Sequence, residues 1–269
     1  GDTLAEIASE KGGIIKPEVP VVVAPQEPEA LDRLREIASD GQSPIEVVGD
    51  DWLYEGVNHH LLVTRSPHED YVAAGTAFGV GLAGLHQVEN AMLAVAAMRP
   101  VQERFPELTL DAISQGLAGV QWEGRLQTVL DEPGLPALLI DAAHNPHSAS
   151  KLSTALQNDY EYDRMWLIFG APLDKAISPM MQELFPLAYQ VIVSAADHPR
   201  AASPEALAAQ AAELGYTVQT AVSPEEALVL AFDQAEEDDL ICATGSIIFI
   251  GDLLNHWDGL QSRLLLPRG

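Results

Sequence analysis

Between residues 126 and 244, six short apolar runs alternate with helical stretches, and this alternation restricts the chain to an α/β architecture more tightly than any other feature. The runs fall at 126–130, 137–141, 165–170, 190–195, 217–221 and 240–244. Most of the intervals between them are long enough for a crossover helix, and right-handed crossovers generate a mostly parallel, Rossmann-like sheet. Two of the helices carry clear entry signals. "SPEALAAQAAELGY" and "SPEEALVLAFDQA" each place Ser at the cap position and Pro at the first helical position.

The first half is less regular. "VPVVVA", the amphipathic "PEALDRLREIASDG" and "PIEVVG" continue the α/β pattern from residue 19. Residues 51–83 are mixed, with "HLLVT" and "DYVAAGTAFGV" as candidate strands or hairpin pieces. "HQVENAMLAVAAMR" predicts an Ala-rich helix over 86–99, and "TLDAISQGLAG" a second one starting from Thr109. Gly116, Gly119 and Gly124 then loosen the chain, so a domain boundary is expected near residue 120, separating 1–119 from 120–269. "GDTLAEIASEKGG" reads as a helix entered through Asp2 or Thr3, with Glu6 at capping-box distance from Thr3. Because nothing precedes that helix, the chain is expected to begin inside a larger protein.

Composition excludes several function classes. The 269 residues, 47% apolar, suffice for one large or two ordinary domains with a real core. Fourteen basic against forty acidic side chains leave a net charge of −26 without any basic stripe, so a nucleic-acid partner is not expected. Only four lysines occur, Lys11, Lys16, Lys151 and Lys175, and the acid excess reads as a solvated surface. The single Cys242 rules out an intrachain disulfide and lacks metal-ligand spacing, which fits a reducing cytoplasm. No signal-peptide order and no apolar run of membrane-spanning length are present, so a soluble protein with no membrane partner is expected.

One motif invites a different chemistry. "GVGLAG" at 79–84 satisfies G-x-G-x-x-G and precedes a helix, which opens an NAD(P)- or flavin-dependent oxidoreductase reading with Glu103 as the distant ribose acid. Against it, the preceding "AAGTAF" is a poor strand and the helix begins only after the last glycine. No G-x-x-x-x-G-K-[ST] occurs, and no lysine is followed by Ser or Thr. Any nucleoside triphosphate chemistry must therefore take its phosphate cradle from elsewhere.

Two segments carry candidate chemistry. In "PALLIDAAHNPHSASKL" a strand delivers Asp141 at its carboxyl end, where open α/β sheets place ligands. A carboxylate there can accept two ribose hydroxyls, and His144 beside a helix start can meet a phosphate or a substrate carboxylate. Asn145 and Pro146 suit the helix cap and first position, so pure architecture explains the stretch equally well. In "WEGRLQTV", Arg125 occupies a Gly-flanked interdomain loop and could clamp phosphates bidentately; a surface ion pair is the plainer alternative.

The order "GDTLAEIASEKGGIIK", "GLHQVEN", "WEGRLQ", "LLIDAAHNPHSA", "FGAPLDK" and "ATGSIIFIGDL" resembles folylpolyglutamate synthase/dihydrofolate synthase, of the Mur ligase superfamily. The resemblance covers nearly the whole chain. It implies the C-terminal part of a Mur ligase central ATPase domain (1–119), followed by a complete Rossmann-like C-terminal domain (120–269). It also implies an ATP-dependent amide ligase, with ATP and Mg2+ as cofactors and L-glutamate and a folate or dihydropteroate as substrates, working as a cytoplasmic monomer. By the same resemblance, Lys11 corresponds to a lysine that becomes a carbamate and orients Mg2+, and Asn90 reads the adenine edge. Arg125 contacts phosphate, Asp141 binds ribose, and His144 faces the reaction cleft. The family's P-loop and its folate- and metal-binding residues would lie before residue 1. Two positions depart from the family pattern. Ala176 ends the "DKD" turn begun by Asp174 and Lys175, and Gly12 replaces an alanine, which should loosen its helix. A ligase acting on a peptidoglycan precursor, the oxidoreductase, and a binding module without catalysis remain the alternatives.

Overall fold

The computed structural model describes residues 1, 3–57 and 59–264. The chain divides into two compact units, residues 1–121 and the part from Trp122 onward. In the first unit, helix α1 (Leu4–Gly12) is followed by β1 (Val21–Val23), α2 (Pro28–Asp40) and β2 (Ile45–Val47). β1 and β2 pair in parallel, Val21 opposite Ile45. Three antiparallel strands come next, β3 (Leu53–Val57), β4 (His60–Arg65) and β5 (Ala77–Gly79), and then α3 (Leu85–Gln102) and α4 (Leu110–Gly119).

Thr3 caps α1, its hydroxyl accepting from the Glu6 amide at 3.2 Å; Asp2, the other candidate cap, lies outside the described residues. α1 rests on α2. Arg33 Nε donates to Ser9 Oγ at 2.7 Å, and the Ala5 amide donates to the Glu29 carboxylate at 3.3 Å. Gly12 has a positive role in this contact rather than only loosening the helix. A Cβ at that position would stand 2.5 Å from Ile37 Cδ1, so the glycine lets the two helices approach.

β4 contains the predicted "HLLVT" strand, whereas "DYVAAGTAFGV" yields only the three-residue β5. Its first half folds as a turn because Tyr71 and Val72 are buried there, the Tyr71 hydroxyl donating to the Val95 carbonyl at 3.0 Å. The antiparallel sheet and α3 enclose Trp52, Leu61, Val63, Phe78, Val88, Met92 and Val95. α3 extends past the predicted 86–99 and through Pro100. A proline so close to the end of a helix removes one backbone donor and leaves the preceding turns intact.

The second unit is built on a six-stranded sheet. β6 (Gln127–Leu130), β7 (Ala137–Ile140), α5 (Pro146–Asn158), β8 (Met165–Phe169) and α6 (Ile177–Leu184) lead to β9 (Gln190–Val193) and α7 (Pro204–Glu213). β10 (Gln219–Thr220), α8 (Pro224–Gln234), β11 (Leu240–Thr244) and α9 (Ile247–Leu264) complete it. The strand order is β10-β9-β8-β11-β7-β6, parallel throughout except for β6. β10 shrinks to two residues at the sheet edge, where short strands discourage unwanted pairing. Ser203 and Ser223 cap α7 and α8 as their Ser-Pro signals predict.

The period of two along each strand divides the core. Leu138, Ile140, Trp166, Ile168, Ile241 and Ala243 join Leu228, Phe232, Phe249 and Trp257 of α8 and α9. The residues between them, Leu139, Leu167, Phe169 and Cys242, point to the opposite face, where Phe169 meets Phe185 edge-on. All four are fully buried, and each of the larger side chains contributes about 1.5–3 kcal/mol of burial.

One polar staple holds the amino edge of this sheet. Asp239, 2% exposed, accepts from Arg164 Nε and Nη2 at 3.0 and 2.9 Å, from Trp166 Nε1 at 3.0 Å and from the Glu236 amide at 2.9 Å. Burial alone would raise its carboxyl pKa, but the Arg164 fork and the two further N–H donors outweigh it and hold the group below the usual range. A depressed folded pKa contributes stability that is present above the unfolded value, about 3.9, and lost as pH falls through the folded value. Asp239→Asn is therefore expected to lower the melting temperature at neutral pH and to flatten the loss of stability below about pH 4. Thermal melts of the two proteins from pH 7 downward test this, and parallel curves would refute it.

Candidate functional site

At the carboxyl edge of the second sheet, two loops are laced together. Asp141 directly follows β7 and is 6% exposed. Its Oδ2 accepts from the Leu126 amide at 3.0 Å and its Oδ1 from the Ala143 amide at 2.8 Å, while its own amide donates to the Ala243 carbonyl. Burial pushes the carboxyl pKa up; the two backbone donors, and then the charges of Arg125 and His144, act in the opposite direction. Arg125, half-buried, is two residues ahead of β6, and among the described residues it makes no ion pair. In a chain of charge −26, a guanidinium left without a carboxylate is available to an anionic ligand.

His144 is half-buried at the start of α5. Its Nδ1 lies 3.0 Å from the Ala142 carbonyl. Because a carbonyl only accepts, Nδ1 carries a proton, which leaves Nε2 as the ring nitrogen free of that contact. Behind it, Asn145 caps α5: its side chain accepts from the Ser148 amide at 2.8 Å, and Ser148 Oγ returns a contact to the Asn145 amide at 3.2 Å. The capping function read from "HNP" is thus present, and the same turn holds the histidine. Asp141, His144 and Arg125 are brought together in one unit, 16 and 19 residues apart in sequence between Arg125 and the other two.

Lys11 and Asn90 belong to the first unit. Lys11 is exposed in the last turn of α1. Asn90 is exposed on α3, and its amide donates to Gln87 Oε1 at 3.0 Å. Among the described residues no group of three or more His, Cys, Asp or Glu side chains is placed to hold a metal ion. A Lys11 carbamate would supply oxygen ligands without such a cluster, and Mg2+ commonly completes its shell with waters and substrate phosphates. Asp174 and Lys175 lie exposed in the loop after β8, with the Lys175 amide turned back on the Pro172 carbonyl.

Sequence reasoning missed a second feature of this edge. Ser194, after β9, and Thr244, which ends β11, are fully buried, and their hydroxyls have no hydrogen-bond partner. Gly170 lies between them, its amide donating to the Thr244 carbonyl, and the Phe249 ring occupies the space that a Cβ on Gly170 would need. The glycines of "FGA" and "ATGS" were the available signal for this close packing. Cys242, two residues before Thr244 on β11, is fully buried, and burial and then Asp141 push its thiol pKa up.

Two of the three "GVGLAG" glycines, Gly81 and Gly84, have structural explanations. A Cβ at Gly81 would stand 2.6 Å from the Val120 carbonyl oxygen and 2.7 Å from that of Ala118, and Gly84 enters α3 at φ +94°. β5 is a three-residue strand of an antiparallel sheet, and Glu103 caps the end of a helix rather than following a second parallel strand. The dinucleotide arrangement is absent from this segment.

Residues 124–247 match the family described as Mur ligase, glutamate ligase domain. The matched stretch makes up most of the second unit. The match begins at the Arg125 loop and ends just past Ser246, so it contains the whole laced edge. Over nearly its full length the chain is also similar to dihydrofolate synthase/folylpolyglutamate synthase of Bacillus subtilis, at 27% identity over 94% of this chain and 58% of that protein. It is 30% identical, over its entire length, to 31% of a probable bifunctional folylpolyglutamate synthase/dihydropteroate synthase of Haloferax volcanii. The crystal structure of Mycobacterium tuberculosis folylpolyglutamate synthase complexed with ADP and AMPPCP superposes with a TM-score of 0.79 at 26% identity, covering 99% of this chain and 60% of that one. The chain therefore spans between 31% and 60% of the length of these relatives. No helix among the described residues is long and apolar enough to cross a membrane.

If Gly81 serves packing, Gly81→Ala forces backbone to move against backbone and should cost about 1–3 kcal/mol. Denaturant unfolding measures it; an unchanged midpoint would return the glycine to the list of cofactor candidates.

Proposed function

We propose that this chain is the later part of an ATP-dependent carboxylate–amine ligase that adds L-glutamate to a folate or a dihydropteroate. The observation that carries the reading is the laced edge itself: an unpaired Arg125, a carboxylate at a strand tip and a half-buried imidazole at the start of α5, together in the stretch that matches the Mur ligase glutamate ligase domain. The names of the relatives supply the substrate class, and the nucleotide complex of the Mycobacterium tuberculosis enzyme supplies the cofactor class.

In this reading a substrate carboxylate oxygen attacks the γ-phosphorus of ATP, and ADP departs. The amine of glutamate then attacks the acyl carbon, loses a proton, and expels phosphate to leave the amide. Arg125 places its guanidinium on the phosphates, where charge accumulates in both steps. Asp141 has accepting capacity beyond its two backbone donors and takes the ribose hydroxyls. His144 offers Nε2 to a substrate hydrogen-bond donor. Asn90 reads the adenine edge with its amide. Lys11, as a carbamate, helps to hold Mg2+, which when bound draws charge from the γ-phosphate. The enzyme acts as a cytoplasmic monomer, and residues 1–119 form the end of its central ATPase domain.

The full-length protein is expected to incorporate labelled L-glutamate into tetrahydrofolate or dihydropteroate with release of one ADP and one phosphate. Arg125→Ala should lower kcat on the order of 100-fold while the protein stays folded. Turnover of NADH, or glutamate incorporation that does not consume ATP, would reject the proposal.

A further inference from the structure

We infer that Asp141 is a positioning residue, whose carboxylate holds the backbone that presents Arg125. The inference rests on the phosphate-binding role proposed above for Arg125. Gly124 has φ +71° and Leu126 φ +42°, so Arg125 is flanked on both sides by left-handed backbone. Glycine adopts that region freely, but leucine is disfavoured there because its Cβ crowds the following carbonyl. Leu126 is 4% exposed, so its side chain is held among buried neighbours while its backbone is strained. Such a conformation persists only where the surroundings over-determine it.

Asp141 provides that determination. The Leu126 amide donates to its Oδ2, and the Ala143 amide to its Oδ1, so one carboxylate spans the two loops. Two further bonds complete the lacing: the Ala142 amide donates to the Gly124 carbonyl at 2.8 Å, and the Gly124 amide to Gln127 Oε1 at 2.9 Å. Both oxygens are needed. An asparagine has one accepting oxygen for two amides, and its NH2 group would face the other N–H across a buried gap, leaving a donor unsatisfied. The lost bond would free the Arg125 turn to relax, and a displacement of about 1 Å in a positioning group can cost on the order of 100-fold in rate.

A cycle that combines mutation with substrate truncation tests the inference in the full-length enzyme. With ATP and with 2′,3′-dideoxy-ATP, Asp141→Asn is expected to lower kcat at least about tenfold and by a similar factor, because the loss in kcat passes through Arg125, whereas the ribose contact proposed for the same carboxylate acts on the nucleotide KM. In an Arg125→Ala background the same substitution should lower kcat no further. The inference is overturned if the penalty vanishes with the dideoxy nucleotide, or if the two substitutions multiply. Should Asp141→Asn fail to fold, Gly124→Ala strains the turn from its other end with Asp141 intact. Its predicted signature is a fall in kcat with the ratio of KM values for the two nucleotides unchanged, and a change confined to KM would count against the inference. A wild-type enzyme that ligates no glutamate would sink the proposed function instead. The pin would then be read from amide hydrogen exchange at Leu126, which should accelerate in Asp141→Asn; unaltered exchange would refute it.

Discussion

The ladder that β11 forms with both β7 and β8 decides where everything else in the second unit goes. Leu240–Thr244 is the last strand in the chain, yet it lies between two strands that precede it by about seventy to a hundred residues. Parallel pairing brings the carboxyl ends of all three strands to one edge. There the Asp141 amide reaches Ala243, the Gly170 amide reaches Thr244, and polar side chains collect over a core that is otherwise apolar. The loop after each strand is thereby committed to the same edge, which is why a site can assemble from residues distant in sequence.

The two buried carboxylates of this unit show how environment separates architecture from chemistry. Asp239 meets a guanidinium fork, an indole and a backbone amide, and its charge is held below the usual carboxylate range. Asp141 meets two backbone amides with no direct ion pair, and burial leaves its pKa raised. A fully neutralised carboxylate has little left to offer a ligand. One held only by neutral donors retains both charge demand and accepting capacity. The difference follows from position: Asp239 closes the amino edge of the sheet, whereas Asp141 stands at its carboxyl edge.

The glycines separate along similar lines. Gly81 and Gly170 are required because backbone or an aromatic ring occupies the space of their missing side chains, and Gly12 brings two helices into contact. In "GVGLAG" the spacing matches a cofactor motif, but spacing carries no information on whether the next element is a parallel strand or an antiparallel edge. In "DAAHNPHSA" the surrounding order of motifs added that information, and the matched domain begins and ends around the same loops.

Much of the fold was legible in the sequence because it depends on local periodicity and caps. The α/β alternation, the Ser-Pro helix starts, the Asn145 cap and all six strands of the second half, β10 over only two residues, need only neighbouring residues to be specified. Residues 51–83 were read poorly because the Tyr71 turn is stabilised by α3, more than twenty residues away. The identities of Asp141, His144 and Arg125 were also visible, as residue types that suit a nucleotide at a strand tip. Only the tertiary structure decided that Asp141 accepts from Leu126, that Leu126 is held left-handed, that His144 turns Nδ1 to the Ala142 carbonyl, and that the hydroxyls of Ser194 and Thr244 are buried without partners. Each of these depends on which backbone atoms the β7, β8 and β11 ladder brings within 3 Å of one another, and a linear pattern of side chains does not contain that distance.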